Sequence, residues 1–377
     1  MQSTRRQTFK LLGLALALGG LAVPAAASDD DQDDDGFRSG KVFTSSNAVG
    51  ANELLVYAAG PGGQLSLQTR LATQGQGTGG GLGNQGAVTL SGNGRYLFVV
   101  NALSNTVSTF AVRRRGVTLE SSVDSGGQRP VSVTEHEGVV YVLNAGGAGN
   151  VAGFRNVGGT LSPLADGVRP LSASGGTGPA QVGFGNDGDV LVVTEKATNK
   201  LTSYRVGHDG RIGAPVVTAS IGVTPFGFAF DRRGNVLVSE AFGGAANASA
   251  VSSYGFESWS PAQPMAISRS VPDTQSAACW VVVTPSGRYA YVTNTGSGTI
   301  SSYAVHKSGQ VSLAQAVAAP SGAGPIDAAI AATGRTLFVL NSGSNTIASF
   351  SIGKDGGLSN PGSVAGLPAG ATGLAAN

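Results

Sequence analysis

Short apolar runs that end in a polar residue and a Gly/Ser turn recur along this chain of 377 residues. In residues 287–305, GRYAYVTNTGSGTISSYAV, an apolar run ends at Asn294, and apolar and small polar positions alternate from Thr299 to Val305. Two β-strands joined by a hairpin turn fit this pattern. The chain also contains 59 glycines and shows no pattern of a long amphipathic helix, so we expect an all-β fold.

The same pattern predicts a ring of repeats. The residues that end the equivalent strand are Asn101, Asn144, Glu195, Glu240, Asn294 and Asn341, at intervals of 43, 51, 45, 54 and 47. Such periods are typical of β-propeller blades, whose four strands are here called A to D from the centre outward. Six complete blades are predicted over residues 88–123, 131–168, 180–220, 226–271, 280–317 and 326–364.

The two ends of the chain predict a seventh blade. Residues 42–73 supply strands B, C and D without a strand A, and residues 371–377 resemble an isolated strand A. If these pair, the ring closes and exposes no sheet edge at the junction. The predicted architecture is therefore a seven-bladed β-propeller over residues 41–377, closed by its N- and C-terminal strands.

The first residues resemble a signal peptide, which we assign to residues 1–27. Arg5 and Arg6 precede a run of Leu, Ala and Gly, and residues 25–27 offer three alanines for cleavage. The paired arginines favour twin-arginine export, and a general secretory signal is the alternative. Residues 28–40 are interpreted as an acidic, disordered arm. The expected location is the periplasm or the extracellular space, with no membrane span in the mature chain.

Charge and cysteine content narrow the possible partners. Without Arg5, Arg6 and Lys10, 21 of the 24 basic residues remain against 22 acidic ones. A nearly neutral chain without a basic patch argues against nucleic acid as a partner. Cys279 is the single cysteine, so no intrachain disulfide can form. We expect a monomer that binds a small molecule without a cofactor.

The quartet Tyr-Val-Thr-Asn at 291–294, with looser copies at 97–101 and 337–341, resembles the repeats of the lactonase family of seven-bladed propellers. That family includes 6-phosphogluconolactonase and carboxymuconate cycloisomerases, so the resemblance implies chemistry on a lactone ring. Its enzymes carry Gly-Pro-Arg-His, then His-Pro, then Asn-Glu in one blade. Here Gly178-Pro179 is followed by Ala180-Gln181, Gly185-Asn186 replaces His-Pro, and Glu195-Lys196 stands at the Asn-Glu place.

Propeller geometry predicts where a site would lie. Every strand B ends on the same face of the ring, which we call the upper face, and the adjoining end of the central channel is the upper mouth. Asn47 completes the ring of strand-B ends, in which five residues are Asn and two are Glu. Asn caps turns well, whereas Glu does so poorly. Glu195 and Glu240 are therefore candidate catalytic residues, either as a general base or as a cation-holding pair. Surface ion pairs, for example between Glu195 and Lys196 or Lys200, are the alternative.

Further candidates adjoin the same mouth. We predict that substrate is bound by Lys196, Arg129, Trp280, Phe226 and Phe242. Phe242 belongs to a loop with two glycines that is five residues longer than its counterpart in the sixth blade. Trp280 could equally be a core residue.

The remaining motifs argue against other chemistries. The three histidines fall in turns of the lower face, so neither a metal site nor a histidine triad is expected. Residues 75–80 match a dinucleotide fingerprint, but no helix follows, so they are interpreted as a flexible loop. Two functions remain open: an exported enzyme that opens or closes a small lactone ring in the upper channel, and a non-catalytic propeller that binds a ligand or protein outside the cytoplasm.

Overall fold

A computed structural model describes residues 40–256 and 262–377, without the side chains of residues 360 and 361. The assigned signal peptide and all of the acidic arm except Gly40 lie outside the described residues. In chain order the strands are β1 (Gly40–Ser45), β2 (Glu53–Ala59), β3 (Leu65–Ala72), β4 (Val88–Leu90), β5 (Tyr96–Asn101), β6 (Thr106–Arg113), β7 (Gly116–Asp124), β8 (Pro130–His136), β9 (Val139–Asn144), β10 (Asn150–Val157), β11 (Thr160–Pro170), β12 (Pro179–Phe184), β13 (Val190–Glu195), β14 (Lys200–Arg205), β15 (Val216–Ala219), β16 (Pro225–Phe230), β17 (Val236–Glu240), β18 (Ala250–Phe256), β19 (Pro264–Pro272), β20 (Ala278–Val283), β21 (Tyr289–Asn294), β22 (Thr299–Val305), β23 (Val311–Pro320), β24 (Pro325–Ile330), β25 (Thr336–Asn341), β26 (Thr346–Ile352), β27 (Leu358–Ala365) and β28 (Thr372–Ala376).

These strands form seven antiparallel sheets of four strands each, so the predicted seven-bladed propeller is confirmed. The first blade has the order β28-β1-β2-β3, and the second to seventh blades take successive groups of four strands, from β4–β7 to β24–β27. The strands A are β28, β4, β8, β12, β16, β20 and β24, and they surround the central channel. Two short 3-10 helices, Pro61–Gly63 and Phe242–Gly244, lie in connecting loops.

The ends of the chain pair as the sequence predicted. Strand β28 runs antiparallel to β1, with Val42 opposite Ala376 and Phe43 opposite Ala375. Beyond the last strand, the Asn377 side chain accepts a hydrogen bond from the Lys41 N–H at 2.6 Å. The first blade is thus built from both ends of the propeller.

The core lies between neighbouring blades because each sheet has an apolar face on both sides. Strands A, B and C carry most of the buried residues, and strands D are largely exposed, as in β3 and β11. Leu97, Val140, Val192, Val292 and Val339 show the rule for the strands B, since each is fully buried. A blade cannot bury both faces without neighbours, so the closed ring is the unit that is stable. Within the described residues, no helix is long and apolar enough to cross a membrane.

Candidate functional site

In several blades the residue that ends strand B anchors the segment that enters the blade. The Asn144 side chain accepts a hydrogen bond from the Ser125 hydroxyl at 2.7 Å and donates one to the Ser125 carbonyl at 3.0 Å. Asn341 repeats the arrangement with Ser321, whose hydroxyl donates at 2.7 Å. Both serines belong to the segment that enters the blade from the preceding blade. The amide therefore ties that entering segment to the end of strand B.

Glu195 occupies the same position in the fourth blade. Its Oε1 accepts hydrogen bonds from the Ser172 N–H at 2.9 Å and from the Thr202 hydroxyl at 2.6 Å. Its Oε2 accepts one from the Thr198 hydroxyl at 2.8 Å and one from the Ser172 hydroxyl. Ser172 lies in the segment that enters this blade, as Ser125 does for Asn144. The carboxylate thus repeats the anchoring role of the amides, with donors on both oxygens.

Glu240 follows the same scheme in the fifth blade. Its Oε1 accepts from the Gly222 N–H at 2.8 Å and the Ser252 hydroxyl at 2.5 Å, and its Oε2 accepts from the Ser270 hydroxyl at 2.6 Å. A Cβ atom on Gly222 would lie 2.1 Å from Glu240 Oε2, so only glycine allows the entering segment to pass this close. Glu240 has a longer side chain than the Asn of most other blades, and Gly222 opposite it leaves the space that this side chain needs.

Burial decides between the interpretations that the sequence left open for these acids. Glu195 and Glu240 each expose 0% of their surface. Surface ion pairs with Lys196 or Lys200 are therefore wrong for Glu195. The general-base role stays a prediction, and hydrogen-bond donors within the protein already occupy the oxygens that would have to accept a proton.

Beside Glu195, the structure gathers three of the predicted substrate-binding residues. The Lys196 ammonium lies 4.5 Å from the centroid of the Phe226 ring, within the range of a cation–π contact. The Phe226 and Trp280 rings are 5.1 Å apart and tilted by 45°. Lys196 follows the end of β13, and Phe226 and Trp280 lie near the beginning of β16 and β20, so all three belong to the upper mouth. We call Lys196, Phe226 and Trp280 the upper-mouth cluster.

The environment of Lys196 makes its amine unusual. Burial lowers the pKa of Lys196 to about 8, the nearby Cys279 opposes that shift, and the positive charge of Arg129 adds to it. Burial in turn raises the pKa of the Cys279 thiol to about 11. Arg129 is exposed and precedes β8, and its influence on the Lys196 pKa places its charge near the cluster. Neither cation forms an ion pair with a described acidic residue.

Phe242 lies elsewhere on the upper face. It begins the 3-10 helix that follows β17, is half-buried, and has a φ of +47°. Its N–H donates to the Val223 carbonyl at 3.1 Å, and the next N–H, of Gly243, donates to the Thr224 hydroxyl at 3.0 Å. The longer loop is therefore fixed to the segment entering β16. Within the described residues, no ring contact joins Phe242 to the upper-mouth cluster.

Sequence analysis missed the segment that closes the upper mouth. Residues 82–87, which we call the plug, precede β4 and cross the channel. The Asn84 amide donates to the Val131 carbonyl, and Lys196 donates to the Gly83 carbonyl. The loop before it, interpreted from its glycines as flexible, is also anchored, since Gly77 and Gly79 donate to the Ala48 and Asn47 carbonyls at 2.8 and 2.7 Å.

The Gln85 side chain connects the plug to β20, on the opposite side of the channel. Its amide donates to the Val281 carbonyl at 3.2 Å and accepts from the Val281 N–H at 3.3 Å, so it pairs with β20 as a neighbouring strand would. Its own N–H donates to the Ala180 carbonyl at 3.1 Å. A Cβ on Gly227 would lie 2.1 Å from Gln85 Oε1, so this glycine leaves the space through which the side chain passes. That glycine was the available sequence signal, but it gives no direction for a partner 196 positions away along the chain.

The fold and the closed ring define the chain as a seven-bladed β-propeller. More particularly, a family model described as Lactonase, 7-bladed beta-propeller matches residues 248–372. The resemblance to lactonase-family propellers that the Tyr-Val-Thr-Asn repeats predicted is thereby confirmed. No curated protein matches the chain significantly.

Solved structures show the same fold at low sequence identity. The Pseudomonas aeruginosa periplasmic gluconolactonase PpgL is 19% identical with a TM-score of 0.68, and the match covers 89% of this chain and 99% of that one. A Lactobacillus plantarum protein is 17% identical with a TM-score of 0.72, over 90% and 100%. A candidate 6-phosphogluconolactonase from Bacteroides uniformis is 16% identical with a TM-score of 0.70, over 89% and 98%. At these identities the matches establish the fold alone.

Proposed function

We propose that the protein is an exported propeller that binds a small cyclic organic acid, of the sugar-acid or lactone class, at the upper mouth. The observation that carries this proposal is the position of the Lys196 ammonium over the Phe226 ring and beside Trp280. The ammonium attracts a carboxylate or a lactone carbonyl, and the Phe226 ring below it gives the site an apolar wall. Trp280 exposes only 3% of its surface and supports that ring from the core.

The charges at this mouth support an anionic ligand. Lys196 and Arg129 have no described carboxylate partner, and burial weakens the competition of water for the ammonium. At pH 7 an amine with a pKa of about 8 is still mainly protonated, so it can pair with an anion. Because Lys196 already donates to the Gly83 carbonyl, we expect the ligand to displace that contact with the plug.

Opening of a lactone ring is the second candidate function. The match to the lactonase family model and the fold shared with a periplasmic gluconolactonase favour it. Hydrolysis would need a base to activate water, which sequence analysis assigns to Glu195 or Glu240. Because hydrogen bonds hold both carboxylates within their blades, we propose ligand binding as the first function and lactone opening as the second.

The test measures binding and turnover on one set of proteins. Gluconate affinity is determined by calorimetry at pH 7 for the wild type, for Lys196→Met and for the control Lys200→Met, a lysine at the start of β14 in the same blade. We expect Lys196→Met to bind at least about tenfold more weakly, the order of a lost charge pair, and Lys200→Met to bind like the wild type.

An equal loss of gluconate affinity in Lys196→Met and Lys200→Met, or no binding of gluconate to the wild type, would show that the upper mouth is not an anion site. Glucono-lactone opening is followed in the same samples against the buffer rate. Turnover that exceeds this rate establishes the second function. Turnover that survives in both Glu195→Asn and Glu240→Asn would rule out these acids as the base.

A further inference from the structure

A cavity lies in the lower half of the channel, on the other side of the plug from the upper face. Its volume is about 330 Å³, and strands A form its walls. Leu90, Phe184, Phe230 and Ile330, which end four of these strands, are among the lining residues, so the cavity extends to the lower mouth. This volume is at the small end for ligand pockets.

Asp327, on β24, is the one ionisable residue that lines this cavity among the described residues. It exposes only 3% of its surface. Its Oδ1 accepts a hydrogen bond from the Ala328 N–H at 2.8 Å, whereas its Oδ2 is buried and has no hydrogen-bond partner. A buried carboxyl oxygen without a donor costs free energy, so its retention calls for an explanation.

Other polar side chains of the channel are matched to the backbone. The Gln181 amide donates to the Phe228 carbonyl at 3.0 Å and accepts from the Phe228 N–H at 2.6 Å, so it bridges β12 and β16. Gln85 does the same for β20. Asp327 differs from both because one of its oxygens remains free. The Trp280 indole N–H lies near this carboxyl and lowers its pKa, but it does not come within hydrogen-bond distance.

The chemistry of the walls selects the ligand. The lining residues include three phenylalanines, at 184, 228 and 230, but no lysine, arginine or histidine that could compensate Asp327. Burial raises the pKa of the Asp327 carboxyl well above its usual range, although the N–H groups of Ala328, Leu374, the Trp280 indole and Gly86 oppose that shift. An anion would find no counter-charge among these walls, whereas a bound cation stabilises the ionised carboxylate and lowers its pKa. A small inorganic cation requires several oxygen ligands. An organic cation needs one carboxylate and benefits from aromatic walls.

We propose that the lower half of the channel binds a small organic ammonium compound, whose N–H groups donate to Asp327 and whose carbon frame packs against the partly exposed Phe184 and Phe230. The bound cation would supply the donor that Asp327 Oδ2 lacks and would compensate its charge. This site differs from the upper mouth in its charged residue and in the sign of the ligand charge, although Trp280 adjoins both.

Three probes of similar shape test the proposal: benzylammonium, benzyl alcohol and benzoate. Binding of each is measured by calorimetry at pH 7.5 on the wild type, on Asp327→Asn and on Asp187→Asn. Asp187 is an exposed carboxylate in a lower-face turn outside the cavity, so its removal controls for general attraction of cations to that face. Asn has nearly the volume of Asp and can still accept from the Ala328 N–H.

We expect the wild type to bind benzylammonium at least about tenfold more tightly than benzyl alcohol, and benzoate not at all, because an ion pair adds to the shared ring contacts. Asp327→Asn should abolish this preference and Asp187→Asn should retain it. Equal affinity for the ammonium and the alcohol, or no binding of either, overturns the proposal. The comparison of probes on the wild type decides the matter even if Asp327→Asn does not fold.

Discussion

Replacing Glu195 provides the most direct test of the role of the strand-B ends. Glu195→Ala removes an acceptor that receives four hydrogen bonds, from Ser172 N–H and the hydroxyls of Ser172, Thr198 and Thr202. A hydrogen bond to a charged group contributes about 1.5–3 kcal/mol, but the three hydroxyls can rotate toward other acceptors. Only the Ser172 N–H is fixed. We therefore expect a loss of about 4 kcal/mol in the free energy of unfolding, as for other broken buried networks.

The matched variant is Glu195→Asn, which restores the residue found at the equivalent positions of four other complete blades. Its amide can accept from the Ser172 hydroxyl as Asn144 does from Ser125, so we expect a loss of only about 1 kcal/mol. Urea unfolding, followed by tryptophan fluorescence, measures the free energy of unfolding of both variants. With an m-value of about 3 kcal/mol per molar, Ala should lower the midpoint by about 1.3 M and Asn by about 0.3 M. A loss below about 1 kcal/mol for Ala would falsify the anchoring role.

Three further outcomes follow from the structure. The Asp327 carboxyl has a raised pKa in the folded state, so the wild type should lose about 1.4 kcal/mol of stability per pH unit relative to Asp327→Asn as pH rises from about 4 toward that raised pKa. Urea midpoints that stay parallel from pH 4 to 9 would contradict this. Because the pKa of Lys196 is about 8, gluconate affinity should fall between pH 7 and 9 as the ammonium loses its proton, and this fall should be absent in Lys196→Met, as calorimetry can check. Replacing Arg5 and Arg6 together by Lys should retain the full-length precursor in the cytoplasm, seen by immunoblotting of cell fractions; unchanged export would instead favour the general secretory route.

The architecture was predictable because it rests on local patterns that repeat. The alternation in residues 287–305 predicted strands B and C of one blade, and the positions equivalent to Asn294 predicted the others. Predicted boundaries differ from the structure by up to three residues, as for β23, which continues to Pro320 beyond the predicted end at Val317. The pairing of β28 with β1 was also predictable, because the blade at the N-terminal end lacks one strand and the C-terminal end supplies one unpaired strand.

The site was less predictable because its properties depend on burial and on distant partners. The sequence located Lys196, Phe226 and Trp280 on one face, and the structure shows their rings and ammonium in contact. It could not show that donors already surround Glu195, since Ser172 and Thr202 are ordinary residues in their own segments. Asp327 carries no sequence signal either: it follows Pro325-Ile326 in a typical strand A, and only the ring of neighbouring blades makes it a buried, half-satisfied acid.

The pairing of β28 with β1 has a consequence for the order in which the protein forms. The inner strand of the first blade lies more than 300 positions after its partner, so the ring can close only when residues 372–376 have been synthesised. Until then β1 presents an unpaired edge that another chain could occupy. Contacts this distant in sequence form slowly. A chain shortened before Thr372 should therefore associate through its free β1 edge, whereas in the chain that contains β28 this edge is unpaired only until the ring closes.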